Sequence, residues 1–323
     1  MKRFGIWRPE NAIGNSAEQI IGLAKHLEKE NISEFKVLVE KEFQRDFALC
    51  IPGVSAANVE YFPSPEDTGV SVKDLVKHHP DHKDIYMPGP NEDFLNVYPS
   101  TWPALKEGLD VTLSFNEEEY ENKFNLPKDA IVVFYREAGT WRGKRDESPW
   151  LEPERFVQPS VYFEVCFDLV RRGYKVVRIG DSHQTPFPRK YTRTSYGAKV
   201  EVENLIDFTK YVNVKGEPLW SFQDYLFLLQ NCKLFISADA GIWPMAAAMK
   251  KNMVFSDVVY RKYTEWLPLE TTQILFKKFK DKNNQEVTPP FCVNTVNYAE
   301  FLQISVHDNT TKDILDIANR FLG

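Results

Sequence analysis

The sequence predicts an α/β protein in two halves, each a parallel β-sheet covered by helices, and three observations carry that prediction. Its 323 residues exceed what one ordinary core supports and suit two domains of roughly 100 to 200 residues each. Short apolar runs alternate with segments of helical periodicity along the chain, the pattern of parallel strands joined by crossover helices. A polar, glutamate-rich stretch containing Pro127, from Asn116 to Asp129, interrupts that alternation, and a boundary there divides the chain into residues 1–125 and 126–323.

In the first half, Phe4-Gly5-Ile6-Trp7 reads as a strand, followed by a helix whose buried stripe is Ala17, Ile20, Ile21, Ala24 and Leu27. Phe35 to Val39, Val59 to Phe62, Ile85 to Met87 and Val111 to Phe115 read as further strands. The second half opens with the strand Ile131 to Tyr135. A helix with Tyr162, Val165, Cys166 and Leu169 on one face is stopped by Gly173, and the strand Lys175 to Ile179 follows. After an irregular stretch come a short strand at Leu205-Ile206 and a helix carrying Phe222, Tyr225, Leu226 and Leu229. The strand Leu234 to Ile236, a helix from about Ile242 to Met249 and the strand Met253 to Phe255 make another unit. The chain ends in a helix with Ile314, Ile317, Ala318 and Phe321 aligned.

A formal charge of -6 leaves no general positive field to hold nucleic acid by counterion release. The four cysteines, Cys50, Cys166, Cys232 and Cys292, are widely spaced and read as buried free thiols. The first residues run into a polar loop without an apolar signal-peptide core, and no stretch approaches the ~18 apolar residues of a membrane span. These facts predict a cytoplasmic protein, placed at most on the inner face of a membrane.

Three segments carry candidate chemistry. Ser237-Ala238-Asp239-Ala240-Gly241-Ile242 lies between a buried strand and an alanine-rich helix. Small residues there let a phosphate approach the backbone amides, and Asp239 can cap the helix or meet a ligand hydroxyl. Arg136 to Arg145 follows the first strand of the second half and opens on the same edge. Arg136, Arg142 and Lys144 supply cations suited to a diphosphate. The third segment, Trp7 to Ser16, is expected as a loop, with Gly14 permitting close approach and Asn15 or Ser16 capping the first helix. Glu10 and Glu18 are the carboxylates nearest to it that can take a proton from an acceptor hydroxyl.

Absences narrow the chemistry. No Gly-x-Gly-x-x-Gly follows any strand, and the Gly139 to Arg145 loop is one residue too short for a P-loop and lacks its Ser or Thr. No two aspartates stand two apart, and the six histidines form no zinc pair, so no metal ligand set and no cofactor are expected.

In the order of these segments the chain resembles the two-Rossmann GT-B glycosyltransferases, above all their heptosyltransferase-like branch, over its whole length. Phe4 to Leu27 are similar to the strand, glycine loop and helix that open the acceptor domain in that branch. Ile131 to Arg136 are similar to the basic-ended strand that opens its donor domain. Asp239-Ala240-Gly241 followed by Ala246-Ala247-Ala248 look like its Asp-x-Gly helix start. The Arg136 segment is also similar to fucosyltransferase-like GT-B proteins. The resemblance implies two Rossmann-like domains facing each other across a cleft, with the last helix packing back near their junction. It implies a nucleoside-diphosphate sugar as donor and a glycan or glycolipid hydroxyl as acceptor, with donor phosphates on Arg136, Arg142, Lys144 and Asp239 to Ile242.

Two departures from the branch are plain. Asn15 stands where it carries an aspartate after the glycine, and Pro244 stands where a histidine is usual. The amide of Asn15 cannot take a proton, which keeps two other readings open: an epimerase or hydrolase of the same fold, and a non-catalytic sugar-nucleotide-binding protein.

Overall fold

The computed structural model describes residues 2–5, 13–61, 85–86, 106–108, 127–137, 156–187, 194–195, 198–199, 204–216, 218–289 and 304–323. The first half builds β1 (Lys2–Gly5), α1 (Ile13–Lys29), β2 (Phe35–Val39), α2 (Glu42–Ala48), β3 (Val59–Tyr61) and β4 (Ile85–Tyr86). These strands form one parallel sheet in the order β3-β2-β1-β4. The stripe read from the sequence is the buried face of α1, with Ala17, Ile20, Ile21, Ala24 and Leu27 all in the core. The short helix α2 went unread, because its seven residues span barely two turns and hold two aromatic rings, Phe43 and Phe47, as apolar markers. The strand expected at Val111 to Phe115 lies outside the described residues.

The second half builds β5 (Ile131–Phe134), α3 (Pro159–Arg171), β6 (Val176–Arg178), the antiparallel pair β7 (Thr194–Ser195) and β8 (Ala198–Lys199), and β9 (Leu205–Asp207). Then follow α4 (Phe222–Asn231), β10 (Leu234–Ala238), α5 (Trp243–Ala248), β11 (Met253–Val258), α6 (Tyr263–Trp266) and β12 (Thr272–Phe276). All six main strands are parallel, in the order β12-β11-β10-β5-β6-β9. Counted from β5, that is the doubly wound order 3-2-1-4-5-6. Successive residues of β5 point to opposite faces: Ile131 and Val133 join a core with α3 and the last helix, while Val132 joins a core with α4 and α5. Both faces are covered, which is why these strands read as continuous apolar runs.

An unexpected antiparallel sheet of β13 (Lys278–Lys280), β14 (Glu286–Val287) and β15 (Ser305–His307) follows β12. Its strands are two or three residues long, too short for a periodicity signal. The last helix, α7 (Thr311–Leu322), was expected near the junction of the halves; it packs on α3 and over β10 and β11. Asp257 anchors its start, accepting from the Asn309 amide at 2.7 Å and from the Tyr162 hydroxyl at 2.6 Å. Cys50, Cys166 and Cys232 are buried free thiols, as expected, and Cys292 lies outside the described residues.

The halves meet through α1 against α5 and α2 against α4. Phe43 and Phe47 of α2 pack on Phe222 of α4, with ring centroids 5.3 and 5.8 Å apart, and Gln223 Nε2 donates to Asp46 Oδ1 at 3.0 Å. One apolar cluster therefore runs from the first half into one face of the second sheet.

Candidate functional site

In the second sheet the chain winds from β5 toward β6 on one side and from β10 toward β11 on the other, so the strand order reverses between β5 and β10. A crevice opens outside the carboxyl ends of two strands at such a switch point, and open α/β sheets bind ligands there. Arg136 and the Asp239 to Ile242 turn, read separately in the sequence, continue these two neighbouring strands.

The turn after β10 is tightly held. Asp239 is fully buried and accepts from the Tyr263 hydroxyl at 3.1 Å, and Tyr263 packs edge-on against Trp243 and Phe255, each ring 5.2 Å away. The Ala240 amide folds back to the Ala238 carbonyl at 2.7 Å. Gly241 has φ +59°, and a Cβ added there would lie 2.8 Å from the Phe134 ring, so conformation and space both require glycine. Ile242 occupies the cap position of α5 without a side-chain cap. Among the described residues, none accepts a hydrogen bond from the Gly241 and Ile242 amides.

Arg136 is half-buried, its guanidinium 4.9 Å from the Phe156 ring centroid, and its carbonyl accepts from the Val157 amide at 3.0 Å. Arg142 and Lys144 lie outside the described residues, as does Glu10.

The first half meets this turn directly. Gly14, Asn15 and Ser16 belong to the first turn of α1, which begins at Ile13, one residue before the expected loop glycine. Asn15 and Ser16 therefore stand inside the helix and not at its cap. A Cβ on Gly14 would lie 2.9 Å from the Gly241 carbonyl oxygen, so the start of α1 rests on the turn after β10. Ser16 is buried and accepts from Gln44 Nε2 at 3.4 Å. Glu18 is partly buried on the same helix.

Two features went unread in the sequence. The first is a buried ion cluster at the ends of β5, β6 and β9. Arg178, fully buried, stands 3.5 Å from Glu137 and 3.5 Å from Asp207, and donates to the Thr185 carbonyl at 2.8 Å. Its guanidinium also lies over Tyr135 and Phe187, 5.0 and 5.1 Å from their centroids. Glu137 accepts from the Thr185 amide at 2.9 Å, and Gln184 donates to the Tyr135 carbonyl at 2.6 Å. The loop after β6 is thus fastened beside the switch point. An arginine inside the apolar run Val176-Val177-Arg178-Ile179 was the available signal, since a charge there demands a partner.

The second is Glu40, the residue after β2. It is buried, its Oε1 accepts no hydrogen bond, and no described residue pairs with its carboxylate. Gln44 Oε1 instead takes the backbone amides of Glu40 and Lys41, at 2.8 and 3.1 Å. Burial pushes the Glu40 carboxyl up to about 7, with Lys41 pulling the other way.

The ADP-heptose lipopolysaccharide heptosyltransferase II of E. coli has a similar structure, with a TM-score of 0.55 over 100% of this chain and 98% of that one, at 13% identity. The chain has the heptosyltransferase fold. A glycosyl transferase family 9 protein from Veillonella parvula has a similar structure too, with a TM-score of 0.50, 11% identity, and 85% of this chain and 86% of that one covered. No protein-family model matches the chain, and no curated protein sequence matches it. On this fold, the first turn of α1 lies against the turn that leaves the carboxyl edge of the second sheet after β10. Among the described residues, no group of three or more His, Cys, Asp or Glu could hold a metal ion, and no helix is long and apolar enough to cross a membrane.

Proposed function

We propose that this chain is a glycosyltransferase that moves a sugar from a nucleoside-diphosphate donor to a hydroxyl of a glycan or glycolipid. The observation that carries the reading is the contact of Gly14 with the Gly241 turn at the switch point, which sets the first half across the crevice where a donor diphosphate would lie. Residues 126–323 form the donor side and residues 1–125 the acceptor side. Arg136, Arg142, Lys144 and the amides of Gly241 and Ile242 neutralise the leaving diphosphate without a metal, acting where charge builds in the transition state. Asp239 and Ala240 belong to the same donor-binding turn, with Asp239 Oδ1 accepting from Tyr263 and the Ala240 amide folded back to Ala238. Glu10 and Glu18 remain candidates on the acceptor side.

A thermal-shift screen against ADP, UDP, GDP, CDP and their sugar conjugates tests the reading, because a ligand that binds only the native state raises the melting temperature. The structurally similar E. coli protein is an ADP-heptose heptosyltransferase, which puts ADP first in the panel. Stabilisation by one diphosphate identifies the base; no shift with any of them at concentrations well above expected affinities removes the donor site. Asn15 favours the second reading, a binding protein without turnover, and release of nucleoside diphosphate from the sugar conjugate separates the two.

A further inference from the structure

We propose that Glu40 is the general base that takes the proton from the acceptor hydroxyl, a role that rests on the glycosyltransferase reading. Three observations place it there. Glu40 leaves the carboxyl end of β2, which is the neighbour of β1 in the first sheet, on the edge where α1 begins. Gln44 ties Glu40 to the start of α1, its Oε1 accepting from the Glu40 amide at 2.8 Å while its Nε2 donates to Ser16. Ser16 lies two residues from Gly14, which rests on the Gly241 carbonyl at the donor turn.

The carboxyl itself has the properties the role needs. A buried carboxylate oxygen without a donor is costly, and such groups persist where a ligand supplies the missing partner. A hydroxyl is the ligand group that matches, being a donor to the carboxylate and then the source of the proton. Burial also brings the Glu40 carboxyl to about 7, near the value at which a base works best in neutral solution. The amide of Asn15 cannot take the proton, which leaves the role to a carboxylate, and Glu40 competes for it with Glu10 and Glu18.

In the step, the acceptor oxygen bonds to the anomeric carbon as its proton passes to a Glu40 Oε. The bond from the anomeric carbon to the diphosphate oxygen breaks, and its electron pair leaves with the diphosphate. Glu40 then loses the proton to water.

The test compares wild-type, Glu40→Gln and Glu40→Asp proteins with the nucleotide-sugar that the thermal-shift screen identifies, offering water and octyl glycosides as hydroxyl acceptors. Glu40→Gln is expected to keep the melting-temperature rise given by the nucleoside diphosphate while its release from the sugar falls about 100-fold or more, and Glu40→Asp to recover part of the rate. Turnover in Glu40→Gln within about threefold of wild type would overturn the proposal while leaving the glycosyltransferase reading in place. A wild-type protein that neither binds nor turns over any donor would overturn that reading, and the role of Glu40 with it.

Discussion

Gly14 and Gly241, one from each half of the chain, touch backbone to backbone: a methyl group on Gly14 would lie 2.9 Å from the Gly241 carbonyl oxygen. Neither residue has a side chain, and the first turn of α1 therefore closes directly on the turn that follows β10. Gly241 is the more constrained of the two, since it also has φ +59° and lies against the Phe134 ring.

Gly241→Ala should accordingly destabilise the fold by about 1 to 3 kcal/mol, from left-handed strain together with the collision at Phe134. Gly14→Ala puts a Cβ 2.9 Å from a backbone oxygen, so one backbone segment must move, and it should both destabilise the fold and push the start of α1 away from the turn after β10. Thermal melts of both variants, with and without the stabilising diphosphate, read the two effects; a Gly241→Ala protein as stable as wild type would refute the constraint.

Arg136 and Arg178 should respond differently to truncation although both lie at the edge of one sheet. Arg178 is fully buried between Glu137 and Asp207, so Arg178→Ala leaves two carboxylates without their cation and should cost about 3 to 5 kcal/mol in urea denaturation. Arg136 is half-buried, and Arg136→Ala should fold while weakening diphosphate binding by about 1.5 to 3 kcal/mol, roughly ten- to a hundred-fold. Titration of the folded variant with unchanged affinity would remove Arg136 from the donor site.

The pH dependence of stability should expose Glu40. Burial raises its carboxyl from 4.5 to about 7, so the folded state holds a proton that the unfolded chain gives up. That contribution is fully present below pH 4.5 and is lost as pH rises to about 7, a difference of roughly 3 kcal/mol. Glu40→Gln cannot ionise and should be more stable than wild type at pH 8, by at most about 3 kcal/mol, with the advantage gone near pH 4. Asp46, raised to about 6 by burial with Glu42 adding to the shift, titrates in the same sense. Equal melting temperatures of wild type and Glu40→Gln at pH 8 would mean that the carboxylate finds a partner in solution.

Asp257 stands one strand over from the Asp239 turn, at the same carboxyl edge, but its carboxyl holds Tyr162 of α3 and Asn309 at the start of α7. It has φ +56° in β11, and Asp257→Ala should loosen the docking of α7 and lower the melting temperature. Diphosphate affinity of the folded fraction should stay unchanged, which a titration at low temperature checks.

Legibility in the sequence followed the length of each element. The stripes of α1 and α3 and the apolar runs of β5 and β10 were readable because several residues repeat one period. α2 and the β13, β14 and β15 sheet were not, being too short to repeat anything. In the site, Arg136 and Asp239 to Ile242 were legible as strand ends. Glu40 was one too, following the run Phe35 to Val39, but an exposed and a buried glutamate look alike in the chain.

By itself the sequence determined the longer strands and helices and which stretches leave the second sheet at its carboxyl edge, because hydrophobic period and turn residues act over a few neighbours. The tertiary structure alone decided the strand order that puts a switch point between β5 and β10, the contact of Gly14 with Gly241, the enclosure of Arg178 by Glu137 and Asp207, and the burial of Glu40. Each of these depends on which distant segments pack together, and packing sets both the steric need for a glycine and the solvent exclusion that moves a carboxyl toward neutrality.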